Sequence, residues 1–215
     1  MSFIEIKNVC KRIKGKYILK DINLNIEKGK IYGFVGHNGC GKTMLFRAIC
    51  NFINITEGEI IINGSKIGYS KDYPIGLGVI IEYPGFIESY TGYKNLEYLA
   101  SINNIVGKEE IYNVLQEVGL FDNKDEKVRK YSLGMKQKLG IAQAIMENQE
   151  LIVFDEPINA LDDDSIIMFR NIIKRKKEEG KTILISSHNK EHLEDLFDYT
   201  VKMNNGSIKE VVEGD

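Results

Sequence analysis

A glycine-rich octet contains the residues whose types and spacing best fit a defined chemistry. It consists of Gly36, His37, Asn38, Gly39, Cys40, Gly41, Lys42 and Thr43. The octet matches the phosphate-binding pattern of glycine, four residues, then Gly-Lys-Ser/Thr. Its glycines let successive N–H groups turn toward one anion, and Lys42 adds positive charge for the terminal phosphates. Thr43 offers a hydroxyl to a magnesium ion, so the octet predicts a site for a nucleotide with Mg²⁺.

The segments on either side of the octet support this interpretation. Residues 30–35 form an apolar run typical of a buried strand, and residues 43–49 have a helical pattern. The N–H groups and the dipole at the start of that helix would point at the phosphates. A flexible glycine linker is the alternative, but it explains neither the strand, nor the Lys-Thr pair, nor the helix.

A second chemical feature is a pair of carboxylates at the end of an apolar run. Residues 151–154 read Leu-Ile-Val-Phe and lead directly into Asp155 and Glu156. Such a run predicts a strand buried on both faces of a parallel sheet, whose C-terminal end is where ligands of open α/β sheets bind. We expect Asp155 to hold the magnesium reached by Thr43, and Glu156 to orient or deprotonate an attacking water. The alternative, a solvated acidic turn, is disfavoured by the phosphate loop.

Histidine and serine supply further candidates. His188 follows the apolar run 182–186, so it would lie at the same sheet edge, within reach of the terminal phosphate. By contrast, His37 is interpreted as a permissive loop residue, and His192 is predicted on a helix surface. Ser132 precedes a helical pattern and is a plausible cap. With Gly134 beside it, the same helix start could also be a second anion site, and the residues alone leave both open.

The remaining pattern predicts the elements that position these residues. Apolar and polar residues alternate over 2–9 and 22–27, and Asn63-Gly64 predicts a hairpin turn after the strand 60–62. An apolar run at 77–81 is followed by three- and four-residue apolar spacing from 91 to 120, which indicates a helical insert. A helix is expected over 165–177 and a closing hairpin over 201–208.

Bulk properties bound the class of protein. The chain of 215 residues fits one domain, and 43% hydrophobic with 28% charged residues is ordinary for a globular protein. A net charge of -2 predicts no nucleic-acid partner. No apolar run approaches the roughly 18 residues of a membrane span, and we expect no signal peptide. The three cysteines show no paired spacing, which favours a reduced, cytosolic compartment.

The order of these motifs resembles that of the ATP-binding subunit of ABC transporters along nearly the whole chain. The order is phosphate loop, helical insert, signature helix, acidic strand end, an Asn-Ala-Leu-Asp turn, and then His188. The resemblance implies an α/β P-loop NTPase core with a mixed, largely parallel sheet, an antiparallel β-subdomain and a helical insert. It implies a single domain over 1–215, with the core in 1–82 and 148–215 and the helical subdomain in 83–147.

The resemblance also implies roles for individual residues. Ser132 and Gly134 match the phosphate-contacting residues of the signature sequence, and Asp162 matches the Asp of the inter-subunit loop. Asp155 matches the magnesium-linked Asp, Glu156 the catalytic base and His188 the switch histidine. The implied cofactors are ATP and Mg²⁺. In this family two subunits face each other head to tail, so the signature helix of one copy would meet the ATP of the other.

Four features depart from the common family pattern. Glu82 takes the place of a Gln, and as a carboxylate it can still coordinate magnesium or water. The signature reads Tyr-Ser-Leu-Gly-Met, and both changes resemble the subgroup that exports bacitracin or gives immunity to lantibiotics. Ile13 falls where relatives stack an aromatic ring on adenine, and Tyr17 is the alternative residue for that contact. Cys40 is expected to place a thiol beside the phosphates, open to alkylation.

The expected function is therefore ATP hydrolysis coupled to export through separate integral membrane permease subunits. A second nucleotide-binding subunit, as a homodimer in the ATP state, completes the expected assembly at the cytoplasmic face of the cell membrane. The alternatives are a soluble ABC-type ATPase of DNA repair or translation, and a nucleotide-dependent regulator that hydrolyses ATP weakly.

Overall fold

The computed structural model describes residues 2–68, 73–82, 84–188 and 192–214. Its strands are β1 Ser2–Ile13, β2 Lys16–Glu27, β3 Ile31–Val35, β4 Glu57–Ile62, β5 Ser65–Lys66, β6 Leu77–Ile80, β7 Leu151–Asp155, β8 Thr182–Ser187, β9 Tyr199–Asn204 and β10 Ser207–Glu213. Its α-helices are α1 Lys42–Ile49, α2 Gly92–Asn103, α3 Lys108–Glu117, α4 Leu133–Ile145 and α5 Asp163–Glu178.

The larger sheet carries the chemical residues at one edge. Its strand order is β10-β9-β3-β8-β7-β6, and all neighbours are parallel except the β9–β10 hairpin. Every residue of β3, β7 and β8 is buried, which explains their continuous apolar runs. Val35 pairs with Ser187, and Asp155 pairs with Ser186. The phosphate loop, Glu156 and His188 therefore all leave the sheet at its carboxyl edge, as the apolar runs predicted.

The smaller sheet is antiparallel, with the order β2-β1-β4-β5. Its first two strands are longer than the predicted segments 2–9 and 22–27. The reason is that Asn8 and Asp21 have left-handed backbones, with φ of 50° and 46°, and the pairing shifts register around them. Such bulges interrupt the alternation of apolar and polar residues although the strands remain paired. The predicted hairpin turn at Asn63-Gly64 is confirmed between β4 and β5.

Helices α2, α3 and α4 lie in sequence between β6 and β7, which confirms the helical pattern of that segment. Thr91 caps α2 by accepting a hydrogen bond from the Lys94 N–H at 3.1 Å. The helix ends at Asn104, whose left-handed φ of 53° turns the chain. Leu96, Leu115 and Leu139 are fully buried and join the three helices to the core. Among the helices that the structure describes, none is long and apolar enough to cross a membrane.

The C-terminal part of the chain agrees with the sequence in two places and differs in one. Helix α5 begins two residues before the predicted 165 because Asp162 caps it, and the hairpin of β9 and β10 confirms the closing hairpin. The prediction that His192 lies on a helix surface is wrong, because this residue lies in an exposed turn. Among the described residues between His192 and β9, a single 3₁₀ turn forms over Glu194–Leu196.

Candidate functional site

The phosphate loop bends sharply between β3 and α1. Gly36 is needed there because a Cβ would lie 2.3 Å from the carbonyl oxygen of Met203. The first N–H groups of a helix have no partner within it, and Leu45 is the residue whose N–H bonds back to the Gly41 oxygen, at 2.9 Å. The preceding N–H groups thus remain available to an anion. They border a cavity of about 380 Å³ lined by Ile18, Asn38, Gly39, Gly41, Lys42, Thr43, Met44 and Glu156.

Lys42 lies folded across this loop. Its ammonium donates to the Gly36 carbonyl oxygen at 2.7 Å and lies 3.6 Å from Glu156 Oε1. The side chain is almost fully buried, so its charge is poorly hydrated. Phosphate oxygens would give this cation stronger acceptors than a backbone carbonyl.

Asp155 and Thr43 form the part of the site that suits a metal. The Thr43 hydroxyl donates to Asp155 Oδ2 at 2.7 Å, and the Ser186 hydroxyl donates to Asp155 Oδ1. Every atom that this group offers to a metal is an oxygen, the ligand type that Mg²⁺ prefers. Within the described residues there is no group of three or more His, Cys, Asp or Glu that could hold a metal. Mg²⁺ that arrives with a nucleotide commonly binds one or two protein oxygens together with phosphate oxygens, and the oxygens of Thr43 and Asp155 fit that mode of binding.

Glu156 is held between two basic side chains. His188 Nδ1 lies 2.7 Å from Glu156 Oε2, and the His188 N–H donates to the same oxygen at 3.2 Å. The backbone of Glu156 has a left-handed φ of 51°, and its N–H donates to the Ser186 hydroxyl at 2.9 Å. Strain of this kind persists only when surrounding contacts fix it. Glu156 and Lys42 both line the phosphate-loop cavity, and the His188 imidazole contacts the Glu156 carboxylate.

Glu82 follows β6 at the same sheet edge. It lines a cavity of about 220 Å³ together with Asp155 and Glu156. Its carboxylate, however, contacts the Arg47 guanidinium at 2.8 Å. The structure thus places Glu82 beside the metal-binding residues but turns its charged end to α1, and its metal role stays a prediction.

The signature residues have local structural roles. Ser132 accepts a hydrogen bond from the Met135 N–H at 3.1 Å, so the interpretation as a helix cap is confirmed. Gly134 lies so close to the loop before α5 that a Cβ would be 2.8 Å from the Ala160 oxygen. Within the described part of the chain, neither residue lines the phosphate-loop cavity. Their contact with the nucleotide of a second copy stays a prediction.

Asp162 also has a local role. It accepts a hydrogen bond from the Ser165 N–H at 3.0 Å. The hydrogen bonds from the Ser165 side chain and backbone keep the pKa of this carboxyl below its ordinary value. A carboxylate at a helix N-terminus is a favourable cap, and the inter-subunit role of Asp162 stays a prediction.

The proposed adenine contacts lie at the tip of the β1–β2 hairpin. Ile13 and Tyr17 are both exposed, and the Arg12 guanidinium lies 4.1 Å from the centroid of the Tyr17 ring. Neither Ile13 nor Tyr17 lines the phosphate-loop cavity in the described residues, whereas Ile18 does. Sequence reasoning missed Ile18. The signal would have been its place next to buried Leu19, which turns it to the opposite face of the strand.

Cys40 contradicts its sequence-based expectation. Its side chain is only 1% exposed and packs in the core with Phe34 and Leu45. The loop turns this thiol toward Gly36, where a Cβ would lie 2.7 Å from its sulfur. The thiol therefore lies beneath the loop, and the expectation of an open thiol beside the phosphates is wrong.

The β9–β10 turn braces the phosphate loop from outside, a second feature that sequence reasoning missed. The Gly206 N–H donates to the Cys40 oxygen at 2.8 Å, and the Lys20 N–H donates to the Gly206 oxygen at 2.7 Å. The His37 Nε2 atom lies 3.1 Å from Asn204 Oδ1. One turn thus ties the loop to β2. The residues in these contacts are far apart in sequence, so no local sequence pattern predicts them.

Comparisons with known proteins identify the family. Residues 19–159 match the ABC transporter family. The chain is 40% identical over 206 residues to the uncharacterized ABC transporter ATP-binding protein YybJ of Bacillus subtilis (strain 168), covering 96% of this chain and 94% of that protein. It is 40% identical over 216 residues to the bacitracin transport ATP-binding protein BcrA of Enterococcus faecalis, covering 97% and 68%. It is 35% identical over 205 residues to the lantibiotic transport ATP-binding protein SrtF of Streptococcus pyogenes, covering 95% and 88%.

Solved structures agree with this family. An ATP-binding subunit of an ABC transporter superposes with a TM-score of 0.90 at 25% identity, over 99% of this chain and 90% of that chain. An ATP-binding cassette solved as a post-hydrolysis dimer with ADP and Pi gives a TM-score of 0.89 at 24% identity, over 98% of each chain, which shows the fold alone. The predicted fold class is confirmed.

The fold and the site together define an α/β P-loop ATPase of the ATP-binding cassette type. The chain belongs to the ABC transporter family and is an ATP-binding subunit of it.

Proposed function

We propose that this subunit hydrolyses ATP to drive export of an antimicrobial peptide, of the bacitracin or lantibiotic type, through separate integral membrane permease subunits. The observation that carries the hydrolytic part is Glu156, which directly follows Asp155 and lies between Lys42 and His188. The peptide class rests on the names of relatives such as BcrA and SrtF and on the altered signature and Glu82.

The geometry supports a separate role for each of these residues. The N–H groups of the phosphate loop and Lys42 bind the phosphates, while Thr43 and Asp155 hold Mg²⁺. Mg²⁺ held by Thr43 and Asp155 would supply positive charge beside the phosphates. Phosphates compete with Glu156 for Lys42, which leaves the carboxylate free to accept a proton from the attacking water. His188 keeps that carboxylate oriented through its 2.7 Å contact.

A second copy of the chain completes this site. Neither Ser132 nor Gly134 lines the phosphate-loop cavity of its own copy in the described part of the chain, and we propose that both bind the nucleotide of a facing copy. Asp162 would lie in the contact between the two. The similarity to a cassette solved as a dimer supports this proposal. The membrane permease would keep the ATP-bound homodimer at the cytoplasmic face of the cell membrane.

Replacement of Glu156 by Gln tests the hydrolytic mechanism. The variant keeps the size of the side chain and one acceptor oxygen, but the NH₂ group that replaces the other oxygen cannot accept the proton. We expect ATP binding to persist, turnover to fall by about 10² to 10⁴, and a dimer to accumulate with ATP, measured by light scattering after size exclusion. Glu150→Gln, at the exposed ion pair with Lys28, is the matched control and should keep normal turnover. Turnover at the wild-type rate in Glu156→Gln would refute this role.

The altered signature and Glu82 also favour a second candidate, a nucleotide-dependent regulator that hydrolyses ATP weakly. Turnover by the purified wild-type protein, alone and with its membrane partner, distinguishes the two. Strong stimulation by the permease supports the transporter subunit, whereas slow turnover under both conditions supports the regulator. Stimulation by nucleic acid in the absence of a membrane partner would instead indicate a soluble ATPase.

A further inference from the structure

One face of α1 contacts two carboxylates, one at the end of β7 and one two residues after β6. Thr43 and Arg47 are four residues apart, so they lie one above the other on the helix surface. Thr43 holds Asp155 at 2.7 Å, and Arg47 holds Glu82 at 2.8 Å. The helix that begins at the phosphate loop therefore presents a hydroxyl to one carboxylate and a cation to the other.

Glu82 has two places where its charge can be compensated. Three carboxylates, those of Glu82, Asp155 and Glu156, border the cavity of about 220 Å³. Like charges around one cavity repel, and a divalent cation beside Asp155 would attract all of them. In this structure the Glu82 carboxylate is instead compensated by Arg47.

The ion pair between Glu82 and Arg47 is weak enough for Glu82 to exchange it for a contact with a bound metal. The side chains of Arg47 and Glu82 are 33% and 58% exposed, and an ion pair of this exposure shifts an equilibrium by up to about fivefold. Arg47 also borders an open cleft of about 470 Å³ beside Phe52 and Pro84. Its guanidinium would therefore stay hydrated after releasing Glu82, and no unpaired charge would be buried.

We propose that Arg47 is a positioning residue that competes with Mg²⁺ for the Glu82 carboxylate. The proposal rests on the proposed function, because it takes the metal site at Thr43 and Asp155 as given. It adds that metal binding pulls Glu82 from α1 into the cavity. Arg47 thereby sets the concentration of Mg²⁺ that the site requires, without touching nucleotide or metal itself.

Mn²⁺, which replaces Mg²⁺ and is visible by electron paramagnetic resonance, provides the test. The purified protein with a non-hydrolysable ATP analogue is titrated with Mn²⁺ at low ionic strength. We expect Arg47→Gln to lower the Kd for Mn²⁺ about three- to fivefold, as far as the strength of the lost ion pair allows, whereas Arg47→Lys should keep a value near that of the wild type. Lys202→Gln is the matched control, because it breaks an ion pair with Glu210 of the same 2.8 Å length and similar exposure elsewhere.

Loss of any positive charge near a metal raises metal affinity, even without a change at Glu82. A Glu82→Gln background separates this general charge effect from the release of Glu82 by Arg47. If Arg47 acts through Glu82, Arg47→Gln has no effect in that background. A fall in Kd that persists there, or an unchanged Kd in the single variant, overturns the proposal. In steady-state assays the Mg²⁺ concentration at half-maximal rate should fall in Arg47→Gln, with kcat at saturating Mg²⁺ unchanged. Failure of the wild-type protein to bind Mn²⁺ with nucleotide would refute the proposed function instead.

Discussion

Ser186 offers a sharp test of how the site is held together. Its side chain is fully buried, and its hydroxyl donates to Asp155 Oδ1 while it accepts the N–H of Glu156 at 2.9 Å. One hydroxyl thus fixes the metal-binding carboxylate and the backbone of the adjacent base. The informative change is Ser186→Ala, which removes this oxygen and little else.

The magnitude of the effect follows from the two lost contacts. A hydrogen bond to a charged acceptor contributes about 1.5–3 kcal/mol to stability. The N–H of Glu156 keeps the Ser186 carbonyl oxygen at 3.3 Å, so the second loss is smaller. We expect the free energy of unfolding to fall by about 2 kcal/mol, which lowers Tm by about 4–8 °C for a chain of this size.

Urea unfolding followed by circular dichroism measures this loss. Ser101→Ala is the control, because its exposed hydroxyl donates to the Tyr98 carbonyl oxygen of its own helix. This change should alter stability by less than about 0.5 kcal/mol. If Ser186→Ala costs no more than Ser101→Ala, the hydroxyl does not organise the site. An Asp155→Asn partner variant completes a double-mutant cycle, in which a coupling energy near zero would contradict the direct contact.

The remaining predictions concern the contact of the β9–β10 turn with the phosphate loop, and the three thiols. Gly206→Ala should destabilise the protein by about 1–3 kcal/mol more than Gly64→Ala, as measured by urea unfolding. Both glycines have φ near 80°, so the backbone strain is the same. A Cβ at Gly206 would also lie 2.3 Å from the Ile18 carbonyl oxygen, whereas a Cβ at Gly64 would meet nothing within 4 Å. Equal losses of stability in the two variants would contradict close packing of the β9–β10 turn against β2. The three buried thiols should resist alkylation until the protein unfolds, with or without ATP, and rapid reaction of Cys40 in native protein would contradict its burial. Burial raises the pKa of Cys50 to about 12, above its value in the unfolded chain, so this thiol's contribution is complete below about pH 8.5 and is lost as pH rises toward 12. The stability difference between wild type and Cys50→Ala should shrink over that range, and a constant difference would refute this assignment.

Much of the site could be predicted because its parts are continuous in sequence. The octet from Gly36 to Thr43, and the carboxylates Asp155 and Glu156, each follow a buried strand directly. Parallel strands bring their carboxyl ends to one edge, so apolar runs alone were enough to predict that loop, carboxylates and His188 meet there. Local periodicity also predicted the helical insert and both hairpin turns.

Only the tertiary structure decided which side chains face one another. Ile18 borders the phosphate-loop cavity, whereas the sequence suggested Ile13 or Tyr17 at the hairpin tip. The loop's own path turns Cys40 into the core, and the pairing of β3 with β9 brings Gly206 to the loop.

The charge pairs around the site show the same limit of sequence reasoning. Composition gives the charges of Arg47 and Glu82, but their contact depends on how α1 packs beside the end of β6. Residue types and spacing along one segment thus determined the chemistry that this chain can perform. Contacts between distant segments decided how that chemistry is positioned, because strand order and packing, which no local pattern encodes, set them.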